Sequence, residues 1–145
     1  YYHFTQKTEE KHFSASFHFH ILPSSEGEID IHGLKVEYFS YSQGAMRVTG
    51  FRFGSLAYVT DIKQFDPSIF SHLRDLDVLV LSAAWIQPSQ MQMTVDEALE
   101  FRARAGAKQT YFMHLSHDID YHKEIASLPP GVALAYDGME IEFAF

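Results

Sequence analysis

The sequence predicts a single α/β domain over residues 1–145, for three reasons. Alternating apolar and polar residues between turn signals in the first half predict β-hairpins. After Asp61 the pattern changes to alternating helix and strand, which is typical of a parallel sheet. Finally, the segment from Asp77 to Ser82 is apolar on both faces, as expected of a strand in a sheet that is covered on both sides.

The overall composition is that of a globular protein. The chain is 46% hydrophobic and only 21% charged, which excludes a disordered protein. It has no uninterrupted apolar run long enough to cross a membrane, so we expect no membrane association. The net charge of -8 repels phosphate backbones, and we therefore do not expect a nucleic-acid partner. Small substrates remain compatible with this charge.

Cysteine is absent, which excludes disulfide frameworks, thiolate zinc sites and cysteine nucleophiles. Any metal site must therefore use His, Asp and Glu side chains. The opening residues Tyr-Tyr-His-Phe resemble neither a signal peptide nor a transit peptide. We expect a cytoplasmic protein whose natural chain begins further upstream.

The first half of the chain is predicted to consist of strands joined by tight turns. His18 and His20 share one face of the first of these strands, which Pro23 ends. The expected elements, in order, are a strand over 17–22, a hairpin of 28–31 and 34–40 around His32-Gly33, a loop over 41–44, and a hairpin of 47–53 and 56–60 around Gly54-Ser55.

The second half is predicted to alternate helices and strands. Asp66-Pro67 is a helix start, because Asp is a frequent N-cap and Pro is favoured at the first helical position. Thr94 and Glu97 form a capping-box pattern for a second helix, which ends at Gly106. The expected elements, in order, are a helix over 66–73, a strand over 77–82, a helix over 94–106, a strand over 109–113, a helix over 122–127, a strand over 132–135, a turn at 137–138 and a strand over 139–143.

Polar side chains stand where three of the predicted strands end. Asp61, Ser82 and His114 each close or directly follow an apolar run. In open α/β sheets, ligands bind just beyond the carboxyl ends of the strands. A carboxylate and an imidazole that converge there match the ligands with which zinc, manganese or iron activates water.

Spacing alone leaves other interpretations of these residues open. His114 and His117 could be loop histidines without a task, since a His-x-x-His pair outside a helix is a weak metal signal. Asp61 could merely cap a turn. A catalytic zinc normally holds three protein ligands, one more than Asp61 and His114 provide, so we expect the chain by itself to bind divalent metal weakly or not at all.

Five segments of the chain carry a family pattern. They are Tyr-Val-Thr-Asp at 58–61, Asp-Val-Leu-Val-Leu at 77–81, Thr-Val-Asp-Glu-Ala-Leu-Glu at 94–100, Gly-Ala-Lys-Gln-Thr-Tyr-Phe-Met-His-Leu-Ser-His-Asp at 106–118 and Ala-Tyr-Asp-Gly-Met-Glu-Ile at 135–141. Together they resemble the metallo-β-lactamase superfamily, and within it the bacterial metal-dependent hydrolases similar to the phosphonate-pathway cyclic phosphodiesterase. The resemblance covers about residues 17–143. It implies an αββα sandwich with a dinuclear metal site, of which this chain is the C-terminal half.

The resemblance assigns roles to individual residues. Asp61 matches the aspartate that bridges the two metals, and His114 matches a histidine ligand from a late strand. Gln43 falls near a position where the family has a histidine ligand, and Gln92 falls near the family's substrate-side histidine. The family's His-x-His-x-Asp-His segment lies upstream and is not in this chain, and His-Phe-His at 18–20 echoes it only superficially.

Four residues are expected beside the metal or the substrate rather than as metal ligands. Glutamine is a poor metal ligand and a poor proton donor, because a neutral amide does not titrate near neutrality. This applies to Gln43 and Gln92. His117 and Asp118 are expected to cap the following helix and to orient His114.

The resemblance implies a metal-dependent hydrolase that acts on a small phosphodiester or similar ester through a metal-bound hydroxide, with zinc or manganese as the cofactor of the complete protein. The alternative is a degenerate, non-catalytic member that lost ligands at Gln43 and Gln92 and serves as a scaffold or binding module. The chain alone is expected to be inactive. It is also expected to form a homodimer or to associate with the N-terminal half that it lacks, because a lone half-sandwich exposes an apolar sheet face.

Overall fold

The fold was described from a computed structural model, which covers Phe19 and residues 21–143. In this part of the chain, seven strands form one sheet in the order β1 to β7, accompanied by two α-helices and one 3-10 turn. The α/β class expected from the sequence is confirmed. The elements are β1 (Glu26–Ile31), β2 (Leu34–Gln43), β3 (Met46–Phe53), β4 (Leu56–Val59), the 3-10 turn (Pro67–Ser71), β5 (Val78–Ser82), α1 (Val95–Ala105), β6 (Gln109–Met113), α2 (Tyr121–Ser127) and β7 (Val132–Leu134).

Strands β1 to β4 form an antiparallel meander joined by tight turns. At the β1–β2 turn His32 and Gly33 have φ of 54° and 87°, the pair of positive angles that a type I′ hairpin turn requires. Both predicted hairpins are confirmed. The predicted loop over 41–44 is wrong, because β2 continues to Gln43 and pairs there with Met46. The buried Tyr41 extends the in-and-out alternation of β2 past the predicted end.

Strands β4 to β7 are parallel, and their connections pass through the helical segments. Because β2 and β3 reverse direction in turn, β2 also runs parallel to β4. The carboxyl ends of five strands therefore meet at one edge of the sheet. Helix α1 begins as predicted, with the hydroxyl of Thr94 accepting a hydrogen bond from the backbone N–H of Glu97 at 3.2 Å.

The core lies between one face of the sheet and the helical segments. All five residues of β5 are buried, as expected from their apolar run. Leu79 and Leu81 belong to the same buried cluster as Phe101 of α1 and Phe112 of β6. Strand β5, which lies between β4 and β6, is therefore the most completely buried of the described strands.

The opposite face of the sheet has a smaller cluster of buried residues, Leu56, Val78 and Val80. Partly buried side chains from other strands and from Ile141 and Phe143 pack against it. Within the described residues, this cluster contains no side chain from either helix. The second face is therefore much less covered than the first.

Three further predicted elements differ from the structure. The helix expected over 66–73 is a single 3-10 turn, and Asp66 caps it as predicted. The strand expected over 139–143 does not form, although two of its side chains pack on the sheet. Residues 21–23 are not in a strand, and the rest of the strand expected over 17–22, except Phe19, lies outside the described residues, as do His18 and His20.

No helix in residues 21–143 combines the length and the apolar character needed to cross a membrane.

Candidate metal centre

Asp61 stands just beyond the end of β4, at the sheet edge where the parallel strands terminate. Its φ of 56° places the backbone in the left-handed region, which is uncommon for residues other than glycine. The preceding residue is held by β2, since the Tyr41 hydroxyl donates a 2.7 Å hydrogen bond to the carbonyl of Thr60. Burial raises the pKa of the Tyr41 phenol, so this donor keeps its proton.

His114 has the equivalent position at the end of β6. Its φ of 59° is nearly the same as that of Asp61. Strained or sparsely populated backbone conformations of this kind cluster at functional sites, because the surrounding structure must hold them in place. The two residues therefore leave their strands in the same unusual way.

The side chains of Asp61 and His114 meet, with Nδ1 of His114 3.2 Å from Oδ1 of Asp61. Strand β5 lies between β4 and β6, so the two side chains approach one another beyond its end. Ser82, which ends β5, and the following Ala83 and Ala84 are small and buried. Both partners are 35% exposed, which leaves them accessible to a small ligand.

Gln92 joins this pair. Its Nε2 donates a 3.1 Å hydrogen bond to the same Oδ1 of Asp61. The loop that carries Gln92 is closed by backbone hydrogen bonds from Ala84 N to the Met93 carbonyl at 3.1 Å and from Val95 N to the Trp85 carbonyl at 2.9 Å. The structure thus brings together three of the six residues singled out from the sequence.

Gln43 lies at the same edge of the sheet, at the end of β2. It ends β2 as a buried residue and, two positions after Tyr41, faces the same side of the sheet. In the described part of the chain, its side chain forms no hydrogen bond with Asp61 or His114.

His117 and Asp118 contact one another, with Nε2 of His117 3.3 Å from Oδ1 of Asp118. Both are exposed, and the imidazole of His117 also packs edge-on against Trp85. The expectation that they cap the following helix is wrong. Asp120 caps α2 instead, accepting hydrogen bonds from the backbone N–H groups of His122 and Lys123, because it is the residue directly before the helix.

The donor chemistry of the site fits part of a divalent metal centre. A carboxylate and an imidazole are suitable ligands for zinc and manganese. Among the described residues, however, no group of three or more His, Asp or Glu side chains is placed to hold a metal ion. Asp61 and His114 thus offer two such donors, one fewer than the three protein ligands that a catalytic zinc normally has.

Sequence reasoning missed two supports of this site. Tyr41 falls in the predicted loop over 41–44, although the alternation of buried residues along β2 continues to it. Gln64 accepts a 3.0 Å hydrogen bond from Gly44 N at its Oε1 and lies 3.5 Å from the Gln90 carbonyl through its Nε2. It thereby connects the β2–β3 turn with the loop of Gln92, and no signal in the sequence identifies this contact.

The chain is similar to known proteins in sequence and in fold. The family described as "Beta-lactamase superfamily domain" matches residues 3–115. The crystal structure of a new diphosphatase from the PhnP family superposes with a TM-score of 0.78 at 35% identity, over 81% of this chain and 46% of that chain. The zinc-bound PqqB from Methylobacterium extorquens has a TM-score of 0.62 at 14% identity, over 81% of this chain and 53% of that chain.

A curated relative is the protein named octanoyltransferase from Porphyromonas gingivalis, which is 26% identical over 109 residues, or 74% of this chain and 22% of that protein. The chain thus spans about half the length of the two solved structures and about a fifth of the curated relative. The expected half of a metallo-β-lactamase sandwich, a mixed sheet with helices, is confirmed by these folds. The family match covers most of the chain, and the chain therefore belongs to the metallo-β-lactamase superfamily.

Proposed function

We propose that this chain forms part of a metal-dependent hydrolase that cleaves a small phosphodiester or similar ester. The observation that carries the proposal is the 3.2 Å contact between Asp61 and His114 at the carboxyl ends of two parallel strands. The likeness to a diphosphatase at 35% identity supports phosphate-ester chemistry. Hydrolysis joins the oxygen of water to phosphorus, breaks the bond from phosphorus to the ester oxygen and releases the alcohol with one proton of the water.

Asp61 and His114 are the residues that would hold the metal, through a carboxylate oxygen and an imidazole nitrogen. A divalent ion supplies Lewis acidity and lowers the pKa of a bound water toward neutrality. We propose zinc or manganese, since both accept this ligand pair and a solved structure of the same fold is zinc-bound. The other ligands are proposed to come from parts of the protein outside this chain.

The residues of this chain have distinct tasks. Gln92 fixes the orientation of the Asp61 carboxylate through its 3.1 Å hydrogen bond. Its amide can also donate a hydrogen bond to a phosphoryl oxygen, but it cannot transfer a proton near neutral pH. Tyr41 keeps the backbone before Asp61 in place. Binding and orientation are therefore the contribution of this chain, and proton transfer to the leaving alcohol must use another group.

The test uses the natural full-length protein that contains this chain, purified with zinc or with manganese. Turnover of bis(p-nitrophenyl) phosphate and the metal content by elemental analysis are measured together. We expect Asp61→Asn and His114→Ala each to lower kcat/KM at least about a hundredfold and to reduce the bound metal.

Asp96→Asn and His122→Ala are the matched controls, because they change the same residue types at exposed positions on α1 and α2. Both should retain wild-type turnover and metal content. If Asp61→Asn and His114→Ala turn over the substrate as the controls do, the assignment of the site is wrong.

A second candidate function is a non-catalytic scaffold or binding module. It is favoured by Gln43 and Gln92, which stand near positions where relatives are expected to have histidine. The same experiment separates the two candidates. A full-length protein that folds, holds no metal after loading and hydrolyses no phosphate ester supports the scaffold.

A further inference from the structure

An open recess of about 410 Å³ lies beside the candidate metal centre and shares His114 with it. Its lining comes from the ends of two adjacent parallel strands. Met113, His114 and Leu115 come from the end of β6, and Ala135, Tyr136 and Asp137 follow β7. The residues on the β7 side of this recess are distinct from those assigned to hydrolysis.

The β7 side of the recess is a fixed turn. Met139 N donates a 3.1 Å hydrogen bond to the carbonyl of Tyr136. Gly138, third in this four-residue turn, has a φ of 85°, which a type II turn requires at that position. Tyr136 and Asp137 are therefore held by backbone geometry at the rim of the recess.

Among the described residues, the side chains of Tyr136 and Asp137 take no part in the buried core. Tyr136 is 59% exposed, a large fraction for an aromatic residue beside a candidate site. Within the described residues, neither its hydroxyl nor the Asp137 carboxylate has a hydrogen bond or ion pair. An exposed ring and a free carboxylate are available to a ligand.

The charge of the lining restricts what can bind. Asp137 provides a negative charge, and in the described part of the chain the recess has no lysine or arginine in its lining. A second phosphate would meet only repulsion there. An uncharged group with hydroxyls and a flat ring matches the lining, since carboxylates accept hydrogen bonds from ribose hydroxyls and tyrosine rings stack on bases.

We propose that this recess binds the nucleoside part of the substrate, while its phosphate sits at Asp61 and His114. The inference rests on the proposed hydrolase function and names its substrate class as a phosphate diester with a nucleoside substituent. Tyr136 stacks on the base and Asp137 accepts hydrogen bonds from the ribose hydroxyls. The volume of about 410 Å³ lies within the range usual for small-molecule pockets.

The test measures the hydrolysis of two esters by the metal-loaded full-length protein. The esters are the p-nitrophenyl ester of adenosine 5′-phosphate and methyl p-nitrophenyl phosphate. Only the first has a nucleoside. We expect Tyr136→Ala to raise KM for the adenosine ester about tenfold and to leave KM for the methyl ester within about twofold. Tyr136→Phe keeps the ring and should behave as wild type, and Asp137→Ala should raise KM for the adenosine ester alone.

Glu140→Gln is the matched control, because it removes an exposed carboxylate three residues from Asp137 that does not line the recess. Equal KM values of wild type and Tyr136→Ala for the adenosine ester would overturn the inference while leaving the hydrolase proposal intact.

Equilibrium dialysis with adenosine alone gives a readout that needs no turnover. Wild type should bind adenosine, and Tyr136→Ala should bind it about tenfold more weakly. If wild type hydrolyses neither ester, the proposed hydrolase function is wrong. The dialysis then still shows whether the recess binds a nucleoside. Absence of adenosine binding, or equal binding by Tyr136→Ala, contradicts the nucleoside assignment.

Discussion

Asp61 and His114 leave their strands with nearly equal backbone angles, φ of 56° and 59°, and their side chains then meet at 3.2 Å. The left-handed conformation turns each chain sharply at the sheet edge. It costs an ordinary residue about 1 kcal/mol or more, and glycine almost nothing. The conformation and the contact can therefore be tested separately.

The first prediction concerns this conformation. Asp61→Gly should have a free energy of unfolding about 1 kcal/mol higher than Asp61→Ala, and His114 should show the same order, because only alanine must bring a Cβ into the left-handed region. Urea titration of the four variants measures it. The control is Asp96 within helix α1, where the order should reverse because glycine disfavours helix. If the glycine variant were more stable than the alanine variant at Asp96 as well, the left-handed conformation would not explain the difference at Asp61 and His114.

The second prediction is that core residues contribute more to the free energy of unfolding than the candidate metal ligand Asp61 does. Leu79 and Leu81 have no exposed surface, so changing either to alanine should lower the free energy of unfolding by about 2–5 kcal/mol. Asp61→Asn should lower it far less or raise it, because functional carboxylates are often unfavourable for stability. Denaturant unfolding of the three variants checks the order. Earlier unfolding of Asp61→Asn than of Leu79→Ala would make Asp61 a structural residue.

The third prediction concerns metal in the 145-residue chain expressed alone. Two strong ligands should hold zinc or manganese weakly, so dialysed protein should contain far less than one ion per chain. Elemental analysis after dialysis measures this. A stoichiometric ion that survives dialysis would show that the chain contains a complete site, and Asp61→Asn would then show whether that site is the one described above.

The fourth prediction is a pH dependence at the start of helix α1. Partial burial raises the pKa of the Glu97 carboxyl, but the Lys63 ammonium at 2.7 Å and the backbone N–H of Thr94 outweigh it and hold the pKa below its ordinary value. A lowered pKa in the folded state contributes stability above the unfolded pKa, and this contribution is lost as the pH falls through the folded value.

The free energy of unfolding should therefore decrease as the pH falls below about 4.5, and Glu97→Gln should weaken this decrease. Thr94→Ala removes the hydroxyl that caps helix α1 and should lower the free energy of unfolding by about 1 kcal/mol at neutral pH. Urea titrations between pH 3 and 7 test both, with Glu100→Gln as the control on the same helix. If the free energy of unfolding of Glu97→Gln decreases with falling pH as steeply as that of wild type, the lowered pKa of Glu97 is not the cause of the decrease.

The fifth prediction concerns the second face of the sheet. Leu56, Val78 and Val80 lie there, and the described residues place no helix over them. A sheet face of this kind needs an apolar cover. We expect the 145-residue chain alone to sediment as a dimer or larger species, or to aggregate. A cooperatively folding monomer in analytical ultracentrifugation would refute this expectation.

The sequence by itself determined the local elements. The apolar run before Ser82, the capping box at Thr94 and the glycine turns are read within a few residues, because they depend on side-chain periodicity, caps and backbone freedom. The same local reasoning placed Asp61 and His114 at strand ends. Together with the family pattern, it was enough to single them out as candidate metal ligands.

Only the tertiary structure decided which of these residues meet. Strand order places Asp61 and His114 on either side of β5, and a long loop brings Gln92 to the same carboxylate oxygen. It also decided that β2 reaches Gln43 and that residues 139–143 pack on the sheet without pairing as a strand. The physical reason is that pairing register and loop closure depend on contacts between residues distant in the chain, which local propensity does not encode.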